Sequence, residues 1–238
     1  MLTLFFVPDL GTNSTVEVSG DEAHHAVKVL RVALGAELLL ADGGGAWVRG
    51  SVASIGKKSF TVHVLERGIS TEVLPQLIVI QALMKSDRAK EAIELLTVAG
   101  ATTIIPWQAA RSIAKWQEDI GAKWFATSVA AAKQSRRLLL PEIETPITTV
   151  QIAKRFGSGG NLLVLHESAS LKISEAAKNL SSGPIALIIG PEGGLTREEL
   201  EYFGATGGKI VVLGHEIFRS AHAGFAALSA LSALTGRW

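Results

Sequence analysis

The chain has 238 residues, which allows one large domain or two unequal ones, and its 47% hydrophobic and 19% charged residues support a sizeable core and argue against disorder. With 23 basic and 22 acidic side chains the net charge is only +1, so the sum does not announce a nucleic-acid binder, although a local patch still allows one. The absence of cysteine excludes disulfides, thiolate metal sites and cysteine nucleophiles, and fits a reducing cytoplasm.

The N-terminal MLTLFFVPDL has no basic stretch ahead of its apolar run, so it is a poor signal peptide. Residues 1–72 read as a small, mostly β unit. Leu2–Val7 is an apolar strand. Ser19 and Glu22 are spaced as a capping box that opens a helix through Val32. Glu37–Ala41, Ala46–Ile55 and Ser59–Glu66 alternate as strands, with turns at Asp42–Gly45 and Gly56–Lys58.

After Pro75 the rhythm changes. Gln76–Leu83 is a continuous apolar run, as in a strand buried on both faces. A helix capped by Ser86 runs to Ala99, a strand covers Thr102–Pro106, and a helix covers Ile120–Gln134. Strands at Asn161–His166, Ile185–Ile189 and Lys209–Leu213 are each followed by a helix, near Ile173–Asn179, Arg197–Phe203 and Ser220–Leu234. This alternation predicts a mainly parallel sheet over residues 73–238, covered on both faces, with Gly157–Gly160 as a flexible connection. Trp107, Trp116 and Trp124 read as core or interface residues. The uncharged stretch between Arg219 and Arg237 is too rich in alanine, serine and histidine for a membrane span, so a soluble, cytoplasmic protein is expected.

Residues 1–74 carry a net charge of −2, residues 75–156 of +4 and residues 157–238 of −1. The basic middle third includes Lys85, Arg88, Lys90, Arg111, Lys115, Lys133, Arg136 and Arg137. No Walker A loop, GxGxxG fingerprint, GxSxG elbow or HExxH helix is present, which removes support from kinase, hydrolase and metalloprotease readings. Three loops remain, each after a C-terminal strand: Leu165-His166-Glu167, Gly190-Pro191-Glu192-Gly193-Gly194 and Leu213 to Arg219. In open α/β sheets such strand ends form ligand sites. Thr196 and Glu199 form a second capping box, so the middle loop ends at a helix start; taken alone, its glycines fit a tight strand–helix turn equally well.

The middle loop resembles the central signature of the SPOUT, or trefoil-knot, methyltransferases. Gln81-Ala-Leu-Met-Lys-Ser-Asp-Arg88, Ala132-Lys-Gln-Ser-Arg-Arg137 and Leu213-Gly-His-Glu-Ile-Phe-Arg-Ser220 resemble successive blocks of the ribosomal RNA small subunit methyltransferase E family, and the resemblance runs from Phe5 to Trp238. It implies an N-terminal PUA-like β-barrel followed by a mainly parallel α/β SPOUT domain with a C-terminal trefoil knot. The implied activity is S-adenosylmethionine-dependent methylation of N3 of a uridine in 16S ribosomal RNA, with no metal. Leu165, His166, Glu167, Gly190, Pro191, Glu192, Gly193, Leu213, Gly214, Ile217, Phe218, Arg219 and Ser220 match the family's cofactor loops. The family usually shows a proline where this chain has His215, and a polar run where it has Ser220-Ala221-His222.

The small ribosomal subunit is the implied partner, with Lys85, Arg88, Lys133, Arg136 and Arg137 as expected RNA contacts. Arg136 or Arg137 is the expected stabiliser of charge on a uracil oxygen, and Glu192 a weak candidate base; the sequence names no base firmly. A homodimer through the C-terminal helix is expected, because Ser220–Gly236 is uncharged and apolar nearly all round. Two alternatives stay open at this level: a catalytically silent RNA-binding protein of the same fold, and a SPOUT methyltransferase acting on tRNA ribose.

Overall fold

A computed structural model describes residues 2–238. The chain divides into two units: residues up to Thr71 together with Ala132–Leu140, and Glu72–Ala131 together with Pro141–Trp238.

The first unit is built on five strands, β1 (Thr3–Phe6), β2 (Thr15–Ser19), β3 (Glu37–Ala41), β4 (Ala46–Ile55) and β5 (Ser59–Ile69), in the order β1-β3-β4-β5-β2. β1 runs parallel to β3 and the other pairs are antiparallel. Alternate residues turn inward, so Phe5, Val16, Val18, Leu38, Leu40, Val48, Val52, Phe60 and Val62 form one core. Register shifts at Arg49/Gly50 and Val52/Ser54 bend the long β4–β5 ribbon. A β-carbon at Gly50 would strike the His63 carbonyl across that bend, which is why the position has no side chain.

Ser19 does not cap a helix: it ends β2, paired with Ser59, and the Glu22 carboxylate is ion-paired to Lys133 instead of turning back. The following helix is short. It comprises α1 (Gly20–His24) and a π turn over His25–Val29, and stops three residues before Val32.

In the second unit a seven-stranded parallel sheet runs in the order β10-β12-β9-β11-β6-β7-β8. Its strands are β6 (Leu77–Ala82), β7 (Thr103–Trp107), β8 (Glu142–Ile143), β9 (Leu162–Leu165), β10 (Leu171–Lys172), β11 (Ile185–Ile189) and β12 (Lys209–Val212). Side-chain alternation divides these strands between two cores. Leu77, Val79, Leu163, Ile185, Leu187 and Ile189 face α2 (Ser86–Val98), α5 (Ile173–Ala177) and α7 (Ser220–Leu234). Ile78, Ile80, Leu162, Val164, Ala186 and Ile188 face α4 (Thr149–Phe156) and α6 (Arg197–Ala205). All six residues of β6 are buried, as expected of a central strand with helices on both faces. Trp107 and Trp124 are core residues and Trp116 packs against the core from its edge.

The last turn of α3 (Glu118–Ser135) and the segment to Leu140 belong to the first unit. The helix ends in a Schellman turn: Arg137 N–H donates to Ala132 O at 2.9 Å and Arg136 N–H to Lys133 O at 3.3 Å, with Arg136 left-handed at φ 59°. A glycine normally takes that position. The Arg136 side chain is also committed, its Nε donating to Leu2 O at 2.8 Å. Gly157 is buried in a 3-10 turn rather than lying in a flexible link. No helix among the described residues is long and apolar enough to cross a membrane.

Candidate functional site

β12, β9 and β11 are neighbours in the sheet, so the loops that follow them emerge side by side. Together they wall an open cavity of about 640 Å³, within the range of small-molecule sites. Of the residues expected there, Leu165, His166, Glu167, Gly190, Pro191, Glu192, Gly193, Leu213, Ile217, Phe218, Arg219 and Ser220 line it; Gly214 lies just outside. The wall also includes Arg88, at the start of α2, and Arg111, in the loop after β7. Sequence reasoning left Arg111 in the general basic face, although it follows a strand of the same sheet and the strand-end rule applied to it equally.

Three hydrogen-bond systems position the loops. The first centres on Glu199, buried at 7% exposure. Its Oε1 accepts from Ala110 N–H at 2.8 Å and its Oε2 from Thr196 N–H at 2.9 Å, so the predicted capping box also ties the loop after β7 to the one after β11. The second is Arg111, whose Nη1 donates to Gly193 O at 3.1 Å and Leu195 O at 3.4 Å. The third joins α7 to β11: Ser220 Oγ donates to Gly190 O at 2.5 Å, and the buried Gln81 Nε2 reaches Ser220 Oγ at 3.5 Å.

The glycines of the middle loop answer first to the protein itself. A β-carbon at Gly193 would lie 3.2 Å from Arg111 Cβ, and one at Gly190 3.2 Å from Leu195. Gly194, at φ 70°, supplies the left-handed residue of the turn.

The third loop is open to a ligand. Ile217 is 79% exposed and Phe218 44%. The backbone amides of Gly214–Phe218 donate to no other group among the described residues. Of its two unusual residues, Ala221 is packed into the core, and His222 Nε2 meets Glu91 Oε1 on α2 at 2.9 Å.

That contact, followed by desolvation and by the Arg88 hydrogen bond at 3.2 Å, sets Glu91; the two partners outweigh desolvation and hold its carboxyl below the ordinary value. The stabilisation is therefore present above the ordinary carboxylate value and lost as the pH falls through the lowered one. His222→Ala should move the Glu91 midpoint upward in a carboxyl-carbon NMR titration; an unmoved midpoint would show the contact is not made in solution.

Of the expected RNA contacts in the first unit, Lys133 is paired with Glu22, and Arg136 with the Leu2 carbonyl. Arg137 lies beside them in the Schellman turn. In the second unit Lys85 is an exposed residue preceding α2, and Arg88 divides its role between Glu91 and the cavity wall. No metal-holding group of histidine and carboxylate side chains occurs among the described residues.

Residues 72–232 match the RNA methyltransferase domain family, and residues 18–65 the RNA methyltransferase PUA domain family. The chain is 38% identical to the ribosomal RNA small subunit methyltransferase E of Mycobacterium bovis, over 99% of this chain and 93% of that protein. It is 30% identical to the Bacillus subtilis protein of the same name, over 92% and 90% of the two chains. The crystal structure of a ribosomal RNA small subunit methyltransferase E from Neisseria gonorrhoeae, bound to S-adenosyl methionine, superposes with a TM-score of 0.88 at 25% identity, over 98% of each chain. The chain belongs to the ribosomal RNA small subunit methyltransferase E family.

Proposed function

We propose that the protein methylates N3 of a uridine in 16S ribosomal RNA, with S-adenosylmethionine held in the strand-end cavity. The observation that carries this is the assembly of twelve family-matched loop residues, from three separate strand ends, around one cavity. The residues present fit the cofactor. Leu165, Leu213, Ile217 and Phe218 supply apolar walls for a purine, and the unpartnered amides of the third loop supply donors for its edge. The cofactor, when bound, supplies an activated methyl group, while the protein supplies position and electrostatics. The loops after β9, β11 and β12 would form the trefoil knot, and the bent five-stranded unit the PUA-like barrel. In support of the knot, β12 sits between β9 and β10, yet α7 continues from it back across β11 to pack on α2. Lys85, Arg88, Lys133, Arg136 and Arg137 are the proposed RNA contacts, and Glu192, exposed at the cavity rim, is retained as a candidate base.

Uracil N3 lies on the pairing edge, so the target must be unpaired or turned out of its stack. Mass spectrometry of 16S ribosomal RNA from a strain lacking the gene tests the reading. Loss of one 3-methyluridine supports it. An unchanged ribosomal RNA, or a methyl group lost from tRNA ribose instead, overturns it.

The protein would act as a homodimer. α7 buries Ala221, Gly224, Ala227, Leu228 and Leu231 in its own core but leaves Phe225 37% and Leu234 47% exposed, with Ala226 and Ala230 partly covered. Phe218, Phe225 and Ala226 border an open groove beside Glu91 and His222. Because Ala227 is fully buried inside the unit, a charge there would unfold it rather than report on association. Ala226→Glu is the cleaner test. Sedimentation equilibrium should show wild type near twice the 25.1 kDa chain mass and the variant near one; a wild-type monomer would rule the dimer out.

A further inference from the structure

We infer that Arg111 is the catalytic cation of the cavity, stabilising the negative charge that develops on a uracil carbonyl oxygen as N3 exchanges its proton for a methyl group. This rests on the uridine-N3 reading above and gives that reaction a residue which the sequence blocks did not. In the balanced step the N3 proton passes to the Glu192 carboxylate or to hydroxide from solvent, and the N3 electron pair forms the new bond to carbon. The sulfur–methyl bond breaks, and its electron pair returns to sulfur, leaving a neutral thioether. Negative charge is largest on the uracil oxygens just before the methyl arrives. A cation fixed beside one of them lowers the cost of deprotonation and of the transition state together.

Arg111 meets the requirements of that role. It lines the cavity, and two carbonyls, Gly193 O and Leu195 O, hold its Nη1 at 3.1 and 3.4 Å. Nε and Nη2 donate to no group among the described residues; the Glu198 carboxyl, held low by its own backbone amide and Thr196, feels the Arg111 charge but accepts no hydrogen bond from it, so the second side of the guanidinium fork is available to an incoming oxygen. These two bonds orient the exposed guanidinium before substrate arrives, as electrostatic catalysis requires. Arginine also keeps its charge throughout, so it polarises without competing for the proton.

The other cations are differently placed. Arg88 lines the cavity but donates to Glu91, which neutralises it. Arg219 lines the cavity too, yet no hydrogen bond orients its side chain among the described residues. Arg136, named above for this charge, commits its Nε to the Leu2 carbonyl within its own unit.

The test compares wild type with Arg111→Met and Arg111→Lys, all in the full chain. Single-turnover methylation of small-subunit RNA, at saturating cofactor and RNA, should fall about 100-fold or more in Arg111→Met, the usual cost of one oxyanion donor. The alkaline rise of its pH–rate profile should move to higher pH. Arg111→Lys should recover part of the rate, since it keeps the charge and loses the fork. Because Arg111 also bonds Gly193 O and Leu195 O, S-adenosylmethionine affinity is expected to weaken too, so calorimetry fixes the saturating cofactor concentration at which each variant's rate is read.

A second arm needs no turnover. Small-subunit RNA transcribed with 5-fluorouridine, whose N3 proton is more acidic, should bind the S-adenosylhomocysteine-loaded wild type more tightly as the pH rises. Arg111→Met should lose that dependence. If the variant's rate recovers with more cofactor, and the pH profile stays put, Arg111 is only an anchor for the Gly193 loop and the inference is overturned. If it recovers with more RNA, Arg111 is a phosphate contact, and the inference is again overturned. If wild type transfers a methyl group to an atom other than N3, or transfers none, the functional reading itself fails and this assignment falls with it.

Discussion

A Glu199→Ala protein is expected to lose about 3 kcal/mol of stability, the scale of two hydrogen bonds to a charged acceptor less the cost of keeping that charge buried. Glu199 is 7% exposed and its carboxylate serves two elements at once, taking Ala110 N–H at 2.8 Å and Thr196 N–H at 2.9 Å. Its removal strands both amides and frees the Gly190–Leu195 loop from the loop after β7. Urea denaturation would read the loss, and calorimetry should show weaker cofactor binding in the folded fraction. Glu199→Gln keeps one acceptor oxygen and should recover roughly half of the stability. A loss in Glu199→Ala below about 1 kcal/mol, the size of an ordinary cap, would mean that water replaces the carboxylate and the two loops are not coupled through it.

The second large effect is expected at Gly224, where α7 crosses over β11 and α2. A β-carbon there would lie 2.5 Å from Ile189 Cδ1 and 2.6 Å from Leu96 Cδ2, the ends of two buried side chains that must both shift to admit it. Alanine favours a helix over glycine by about 1 kcal/mol, so propensity alone predicts that Gly224→Ala stabilises. Overpacking a close-packed core costs about 1–3 kcal/mol, and we expect it to win, with Gly224→Ala destabilised by about 1 kcal/mol and Gly224→Val by about 3 kcal/mol. Because Ser220 at the head of α7 is bonded to Gly190, a displaced helix should also loosen the cavity. A Gly224→Ala protein more stable than wild type would show that α7 does not approach its neighbours this closely.

The parallel sheet and most of the cavity wall were legible in the sequence. Uninterrupted apolar runs such as Gln76–Leu83 have few alternatives, and the strand-end rule then places the three loops together. What escaped was decided by partners distant in the chain. Ser19 and Glu22 have the spacing of a cap, but Glu22 is claimed by Lys133, 111 residues away. Ser86 was expected to cap α2, and Lys85 stands at that position instead. β2 and α4 were missed, although Thr148 and Gln151 form a capping box as regular as that of Thr196 and Glu199; the eight residues of α4 were too few for a clear period. The strand-end rule covers the loop after β7 as well, but which residue of that loop faces the cavity is decided by the bonds of Arg111 to Gly193 and Leu195, 82 and 84 positions ahead.

The segment Ala132–Leu140 has a consequence for how the chain is made. The first unit needs it: Lys133 pairs with Glu22, Arg136 holds the Leu2 carbonyl, and Leu140 N–H donates to Gly43 O at 2.9 Å. A nascent chain therefore cannot complete its N-terminal unit when Thr71 leaves the ribosome. It must wait through β6, α2, β7 and α3 until Leu140 has emerged, with those elements already outside and still lacking β9, β11 and β12 beside them. Vectorial synthesis thus interleaves the two units, and a gene fragment cut at their first junction encodes a sheet without its last supporting strap.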